Sequence, residues 1–131
     1  MNERPAKPDP KAVSFNEQAL AEYREILGHY PQRRAALMPV LWLAQREFGW
    51  ISKDVMAYLA ELMALPIGWI EGAVTFYTMY SLKPRGKTHL LVCRTLPCAL
   101  MGCESVSQAL REKLGVGPGE VTPDGKFSFD E

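Results

Sequence analysis

Between Tyr80 and His89 the chain reads YSLKPRGKTH, and the hydrophobic period changes across this stretch. Upstream, apolar residues recur every three or four positions, the spacing of a helix face. Downstream they run together in THLLVC, Thr88–Cys93, a short apolar run bounded by breakers and therefore a predicted strand. Pro84 and Gly86, set among polar residues, interrupt both patterns. One period cannot serve both sides. The expected class is α+β: a helical bundle over residues 14–82, then a smaller α/β domain over 83–131.

The upstream half carries helix start and stop signals. Ser14 and Glu17 have capping-box spacing, Leu20, Tyr23 and Leu27 share a face, and Gly28 closes the first helix. In QRRAALMPVLWLAQREFG, Leu37, Leu41, Ala44 and Phe48 line one face and Gly49 is a natural terminator. Pro39 inside this stretch predicts a kink or a division into two short helices. Ser52 caps a third helix through Val55, Met56, Leu59, Leu62 and Met63, and Pro66 opens a fourth through Ile67, Ile70 and Val74. Residues 1–13, rich in Pro, Lys and Asp, are predicted to be disordered.

The downstream half offers a strand, a loop, a helix in ESVSQALREKLG with an apolar face through Val106, Ala109, Leu110 and Leu114, and a stop at Gly115. A turn-rich segment follows, and Phe127 and Phe129 alternate as the start of a second strand. Two strands and one helix are too little for an independent sheet. The domain is therefore expected to be incomplete, with the strand from Lys126 lacking a sheet to join.

Charge and hydropathy exclude some partners. Lysines plus arginines equal aspartates plus glutamates at 15 each, so nothing predicts nucleic acid or an anionic membrane as a partner. No apolar run approaches the roughly 20 residues of a membrane span, so no direct membrane insertion is expected. MNERPAKPDPKAVSF has no hydrophobic secretory core and carries acidic residues, unlike a transit peptide, which predicts a cytoplasmic protein.

All three cysteines lie in LLVCRTLPCALMGC, Leu90–Cys103. In a reducing compartment an odd, clustered set points to metal or redox chemistry rather than a disulfide framework. Cys93 and Cys98 enclose four residues, too many for the C-x-x-C of thioredoxin-type chemistry. C-x4-C is compatible with zinc, but a tetrahedral site needs a second pair, and His29 and His89 are not paired. Binuclear iron–sulfur sites also use C-x4-C, one pair gripping one iron. Cys103 is expected in the first turn of the next helix, its sulfur turned away from the other two. On spacing alone, cluster binding, buried structural thiols and redox regulation, including a C-x4-C couple of Cys98 and Cys103, all remain open.

Other features read as ordinary structure. Trp42, Trp50, Trp69, Phe76, Tyr77 and Tyr80 are expected to pack in the bundle core and between the two halves, and Met38, Met56, Met63 and Met79 to fill gaps. Arg33–Arg34 and Lys83–Arg85 are expected to be solvated. Gly115, Gly117 and Gly119 follow a helix and precede no Lys-Ser/Thr pair, so they are not a phosphate loop. No nucleophile–histidine or paired-carboxylate arrangement is present in the sequence.

Three stretches, RRAALMPVLWLAQREFGWIS (Arg33–Ser52), EGAVTFYTMYSLKPRGKTHLLVCRTLPC (Glu71–Cys98) and REKLGVGPGEVTPDGKFSF (Arg111–Phe129), resemble the family of small subunits, the E subunits, of NADH-quinone oxidoreductases. That resemblance implies a thioredoxin-like [2Fe-2S] ferredoxin domain behind a helical bundle. It makes the protein an electron-transfer subunit of an oxidoreductase complex, complex I of the respiratory chain, with no catalytic residue of its own. It assigns Cys93 and Cys98 as the first ligand pair of the cluster and no ligand role to Cys103. FMN and NADH would bind a partner subunit, next to a neighbouring iron–sulfur subunit, and the complex would be peripheral to the inner membrane. The same module serves NAD-linked hydrogenases and formate dehydrogenases; a cluster-less structural or thiol-redox module is the other alternative. In the family the second ligand pair is a C-x3-C motif after the equivalent of GKFSFDE. The expectation is a truncated chain whose reading frame continues past Glu131 into that motif within roughly ten residues, the compact spacing cluster ligands favour.

Overall fold

A computed structural model describes residues 13–131. The disorder expected for residues 1–13 falls, Val13 apart, outside the described residues. The chain divides into two compact units between Lys83 and Pro84.

The first unit contains α1 (Glu17–Gly28), a 3-10 turn (Arg33–Ala36), α2 (Leu37–Phe48), α3 (Lys53–Met63) and α4 (Ile67–Phe76). The cap of α1 is Asn16 rather than Ser14: its side-chain oxygen accepts the Ala19 N–H at 2.8 Å. Pro39 does not kink α2. The helix begins only after the 3-10 turn, so the proline falls in the first turn, where an N–H has no intrahelical acceptor to lose. Gly49 ends α2 in the left-handed conformation, φ 79°. Ser52 Oγ accepts the Val55 N–H at 3.2 Å and starts α3. Between these ends the apolar faces meet: Val40, Leu41, Ala44, Ile51, Leu59, Met63 and Ile70 are fully buried. Phe15, ahead of α1, joins this core by stacking on Phe48 at 5.5 Å between ring centroids and meeting Tyr58 edge-on at 5.4 Å.

The aromatic residues expected in the core are mostly not there. Phe76 is 76% exposed and Trp42 49%, with Trp69 and Tyr77 also exposed; Tyr80 alone of the set is buried. The i, i+3, i+4 stripes of α2 and α4 turn Leu41, Ala44, Ile70 and Val74 inward, which places Trp42, Trp69 and Phe76 on the opposite faces. Trp69 is covered in part by the Arg34 guanidinium, 4.2 Å from its ring centroid. Met56 and Met63 fill the core, whereas Met79 is exposed.

The second unit contains β1 (Thr88–Leu91), α5 (Leu96–Leu100), α6 (Cys103–Leu114) and β2 (Phe127–Asp130). The strand at the chain's end does have a partner: β2 pairs parallel with β1, from Thr88 opposite Phe127 to Leu91 opposite Asp130. The ladder runs one step further, the Val92 N–H donating to the Asp130 carbonyl at 2.9 Å. The turn-rich segment folds back on β2, with the Thr122 N–H donating to the Phe127 carbonyl and the Gly119 N–H to that of Phe129, each at 2.8 Å. Phe129 is fully buried. On α6 the covered stripe is Cys103, Ser107, Leu110 and Leu114, so Val106 and Ala109, expected inside, face solvent. Apolar side chains stay uncovered on this unit, including Leu91, Leu96, Leu100 and Met101.

Gly86 decides how closely the chain approaches β2. Its N–H donates to Ser128 Oγ at 2.9 Å, and that hydroxyl also bonds His89 Nδ1 at 2.8 Å. The other ring nitrogen, His89 Nε2, lies 3.8 Å from the Asp130 carboxylate. Burial and then Arg85 hold the His89 pKa below its ordinary value. A Cβ on Gly86 would lie 2.6 Å from the Ser128 nitrogen and 2.7 Å from the Phe127 Cα, against backbone that cannot yield. Gly86→Ala is therefore expected to destabilise the second unit by about 1–3 kcal/mol, the usual range for overpacking. Gly72→Ala, in the open on α4, should be neutral or stabilising. Denaturant melts followed by a probe in each unit check both, and an unchanged second-unit midpoint for Gly86→Ala would refute the close-approach argument.

Candidate functional site

The parallel ladder ends where the cysteines begin. Cys93 stands one residue beyond Val92, the last backbone donor to β2. The segment expected to be a plain loop then turns into α5, for which Thr95 occupies the N-cap position and Pro97 lies in the first turn. Cys98 is thus on a helix. Gly102, in the left-handed conformation at φ 86°, folds the chain back so that α6 starts at Cys103. Cys103 lines the same open groove as Cys93 and Cys98, about 560 Å³ in volume, with Leu90, Val92 and Val106 among its walls.

Cys93 is exposed, while Cys98 and Cys103 are half-buried. Thr95 does not cap α5 with its side chain. Its hydroxyl lies 3.2 Å from Cys93 Sγ instead. That hydroxyl, the Thr95 N–H and the Cys98 thiol, in decreasing order of effect, hold the Cys93 pKa below the ordinary thiol value. The same contact with Cys93 pushes the Cys98 thiol up. The two thiols are thus set apart, Cys93 ionising before Cys98, and binding a metal through both would release the protons that remain. Cys103 is near enough to act electrostatically on Cys98 and on Arg94. Even so, among the described residues no three Cys, His, Asp or Glu side chains converge closely enough to hold a metal ion. The donor set is a pair, with the third thiol across the groove. His89 is engaged with Ser128, and His29 lies in the first unit.

The residue after Cys93 belongs to an ion-pair group that the spacing did not reveal. The Arg94 guanidinium, next in the chain to Cys93, bridges Glu104 at 3.1 Å and Glu131; Arg111 reaches Glu131 at 3.1 Å and Glu104 at 3.9 Å. Ser107, then Arg94, hold the Glu131 carboxyl below its usual pKa. Only Thr95 had a sequence signal, a hydroxyl two residues past a cysteine and just ahead of Leu-Pro.

The family model for the thioredoxin-like [2Fe-2S] ferredoxin matches residues 23–131. The E subunit of the NADH-quinone oxidoreductase of Rickettsia bellii is 40% identical over 121 residues, covering 90% of this chain and 72% of that protein. The NADH-quinone oxidoreductase subunit 2 of Thermus thermophilus is 46% identical over 109 residues, covering 82% of this chain and 60% of its own length. A subunit of the NADP-reducing hydrogenase of Solidesulfovibrio fructosivorans is 37% identical over 111 residues, covering 82% of this chain and 65% of its own.

Because the thiolate is the nucleophile, metal-free protein near neutral pH should alkylate at Cys93 before Cys98. Thr95→Val removes the hydroxyl at nearly constant shape, so it should raise the Cys93 pKa and slow that alkylation several-fold. Mass-spectrometric rates against pH check this; equal rates at the two cysteines in the unmodified chain would contradict the hydrogen-bond pattern.

Proposed function

The chain belongs to the thioredoxin-like [2Fe-2S] ferredoxin family, and from that premise we propose that it is an electron-transfer subunit of an NADH-quinone oxidoreductase. The observation that carries the reading is the placement of Cys93 and Cys98 on the wall of one groove, just past the last rung of a parallel ladder. These thiolates would bind one iron of a [2Fe-2S] cluster, which takes four protein ligands, two on each iron. When bound, the cluster supplies one-electron transfer between the flavin of a partner subunit and the next carrier. The chain's own residues have simpler tasks. The ladder through Val92 holds Cys93, α5 presents Cys98, and Thr95 donates to sulfur, which stabilises the thiolate and tunes the centre. The relatives' names support NADH and quinone as the substrates of the assembled enzyme; in the proposed arrangement a partner subunit holds FMN and NADH, with a second iron–sulfur subunit beside it. The proposed position in the complex is peripheral, on the cytoplasmic side of the inner membrane. No helix among the described residues is long and apolar enough to cross a membrane. The hydrogenase relative favours one alternative setting, the equivalent subunit of an NAD(P)-linked hydrogenase.

Iron, acid-labile sulfide and the EPR signal of the reduced protein test the assignment, using the product of the complete gene purified anaerobically. Cys93→Ser and Cys98→Ser should abolish or badly disturb the signal, and Cys103→Ser should leave it intact. Loss with Cys103→Ser and retention with Cys93→Ser would overturn the ligand assignment. The 131 residues alone carry three thiols, one short of the four a cluster requires, and should not retain a stable cluster after anaerobic reconstitution. Wild-type protein without iron or sulfide, but with a reversible disulfide, would favour the thiol-redox alternative.

A further inference from the structure

We propose that His89 makes the pairing of β1 with β2 sensitive to acid: the neutral ring fits the closed strands, and the protonated ring opens them. The inference does not depend on the cluster assignment. His89 lies opposite Ser128 in the parallel register. Its side chain is only 13% exposed, and Nε2 is buried with no hydrogen-bond partner among the described residues. Nδ1 meets Ser128 Oγ at 2.8 Å, and the same oxygen accepts the Gly86 N–H. The ring therefore belongs to the contact that brings the chain at Gly86 against β2.

The two ring nitrogens respond differently to an added proton. Ser128 can donate to a bare Nδ1 or accept from a protonated one, and a second lone pair still serves Gly86. Nδ1 thus tolerates either state. A charged Nε2–H has no such partner. The Asp130 carboxylate stands 3.8 Å away, beyond hydrogen-bond range, and burial keeps water from the nitrogen. A buried charge whose hydrogen bond is not made is costly. Arg85, ahead of β1, adds a like charge, while Asp130 offsets part of the cost. No carboxylate of α5 or α6 comes within ion-pair reach of the ring. The folded chain therefore binds this proton less readily than the unfolded one, in line with the lowered His89 pKa. The contribution of His89 to stability is intact above the unfolded value of about 6.5 and is lost as pH falls through it towards the folded value. The ladder that opens ends at Val92, next to Cys93, so acid loosens the connection that carries all three thiols.

Amide hydrogen exchange of the intact chain, corrected for intrinsic rates, reads the opening between about pH 7.5 and about pH 5, where histidine is the side chain that ordinarily titrates. The Thr88 and Val92 amides, which donate across the ladder to Lys126 and Asp130, should lose protection as pH falls. The loss should be about tenfold for each unit by which folding lowers the His89 pKa. Amides of α2 and α3 should keep their protection; the other histidine, His29, lies in the first unit. His89→Gln cannot take the proton and should abolish the pH step. Asp130→Asn removes the offsetting charge and should enlarge the step, whereas Arg85→Gln should shrink it. An NMR titration of the His89 ring should move in the same order, to lower pH in Asp130→Asn and to higher pH in Arg85→Gln. If His89→Gln fails to fold, the opposed signs of the other two variants still decide. A step that is missing in the wild type, that α2 and α3 share in full, that persists in His89→Gln, or that moves the same way in Asp130→Asn and Arg85→Gln overturns the inference.

Discussion

The parallel pairing of Thr88–Leu91 with Phe127–Asp130 is the constraint from which the cysteine site follows. A parallel pair needs a crossover, and here the crossover contains α5, α6 and the turn after them. The register therefore fixes where the connecting chain leaves β1, and all three thiols lie in that connection. Gly86 makes the pairing possible by lying flat against β2, and Phe129 fills the space beneath it. A one-residue slip would exchange buried Phe129 for a neighbour and move the Val92 rung that precedes Cys93.

At the site, hydrogen bonds and charges act on different objects. Thr95 and Cys98 bear on the Cys93 sulfur itself. The Arg94, Glu104, Arg111 and Glu131 group ties α6 and the residue after β2 to the residue that follows Cys93. Neither adds much to stability, since the pairs are solvent-exposed and each such pair is worth about 0–1 kcal/mol. Burial supplies most of it, and burial is unequal between the units. The first unit encloses a broad apolar cluster from Phe15 to Tyr80, whereas the second buries Phe129 with a few small polar residues and leaves Leu91, Leu100 and Met101 in solvent. The second unit thus commits its backbone to holding the thiols with little apolar core of its own.

Some of this was legible in the residues and some was not. Helix identities in the first unit followed from periodicity and end signals, because Gly49, Ser52 and Pro66 act locally on backbone φ and N–H groups. The Asn16 cap was missed because Ser14 offered an equally good local signal, and the choice depended on where Phe15 packed. The exposed Trp42, Trp69 and Phe76 were missed because residue type gives hydrophobicity, whereas helix phase decides which face meets the core.

For the cysteines, the sequence by itself determined the spacing of Cys93 and Cys98 and, through three extended stretches, the family resemblance. Both are properties of the chain read in order. Only the tertiary structure decided that β2 returns parallel to β1, that Cys103 faces the same groove, and that Glu131 meets Arg94 and Arg111. These facts join residues separated by up to 42 positions, as Gly86 and Ser128 are. No local propensity encodes such a contact, because it forms only when the register of the sheet brings distant backbone together.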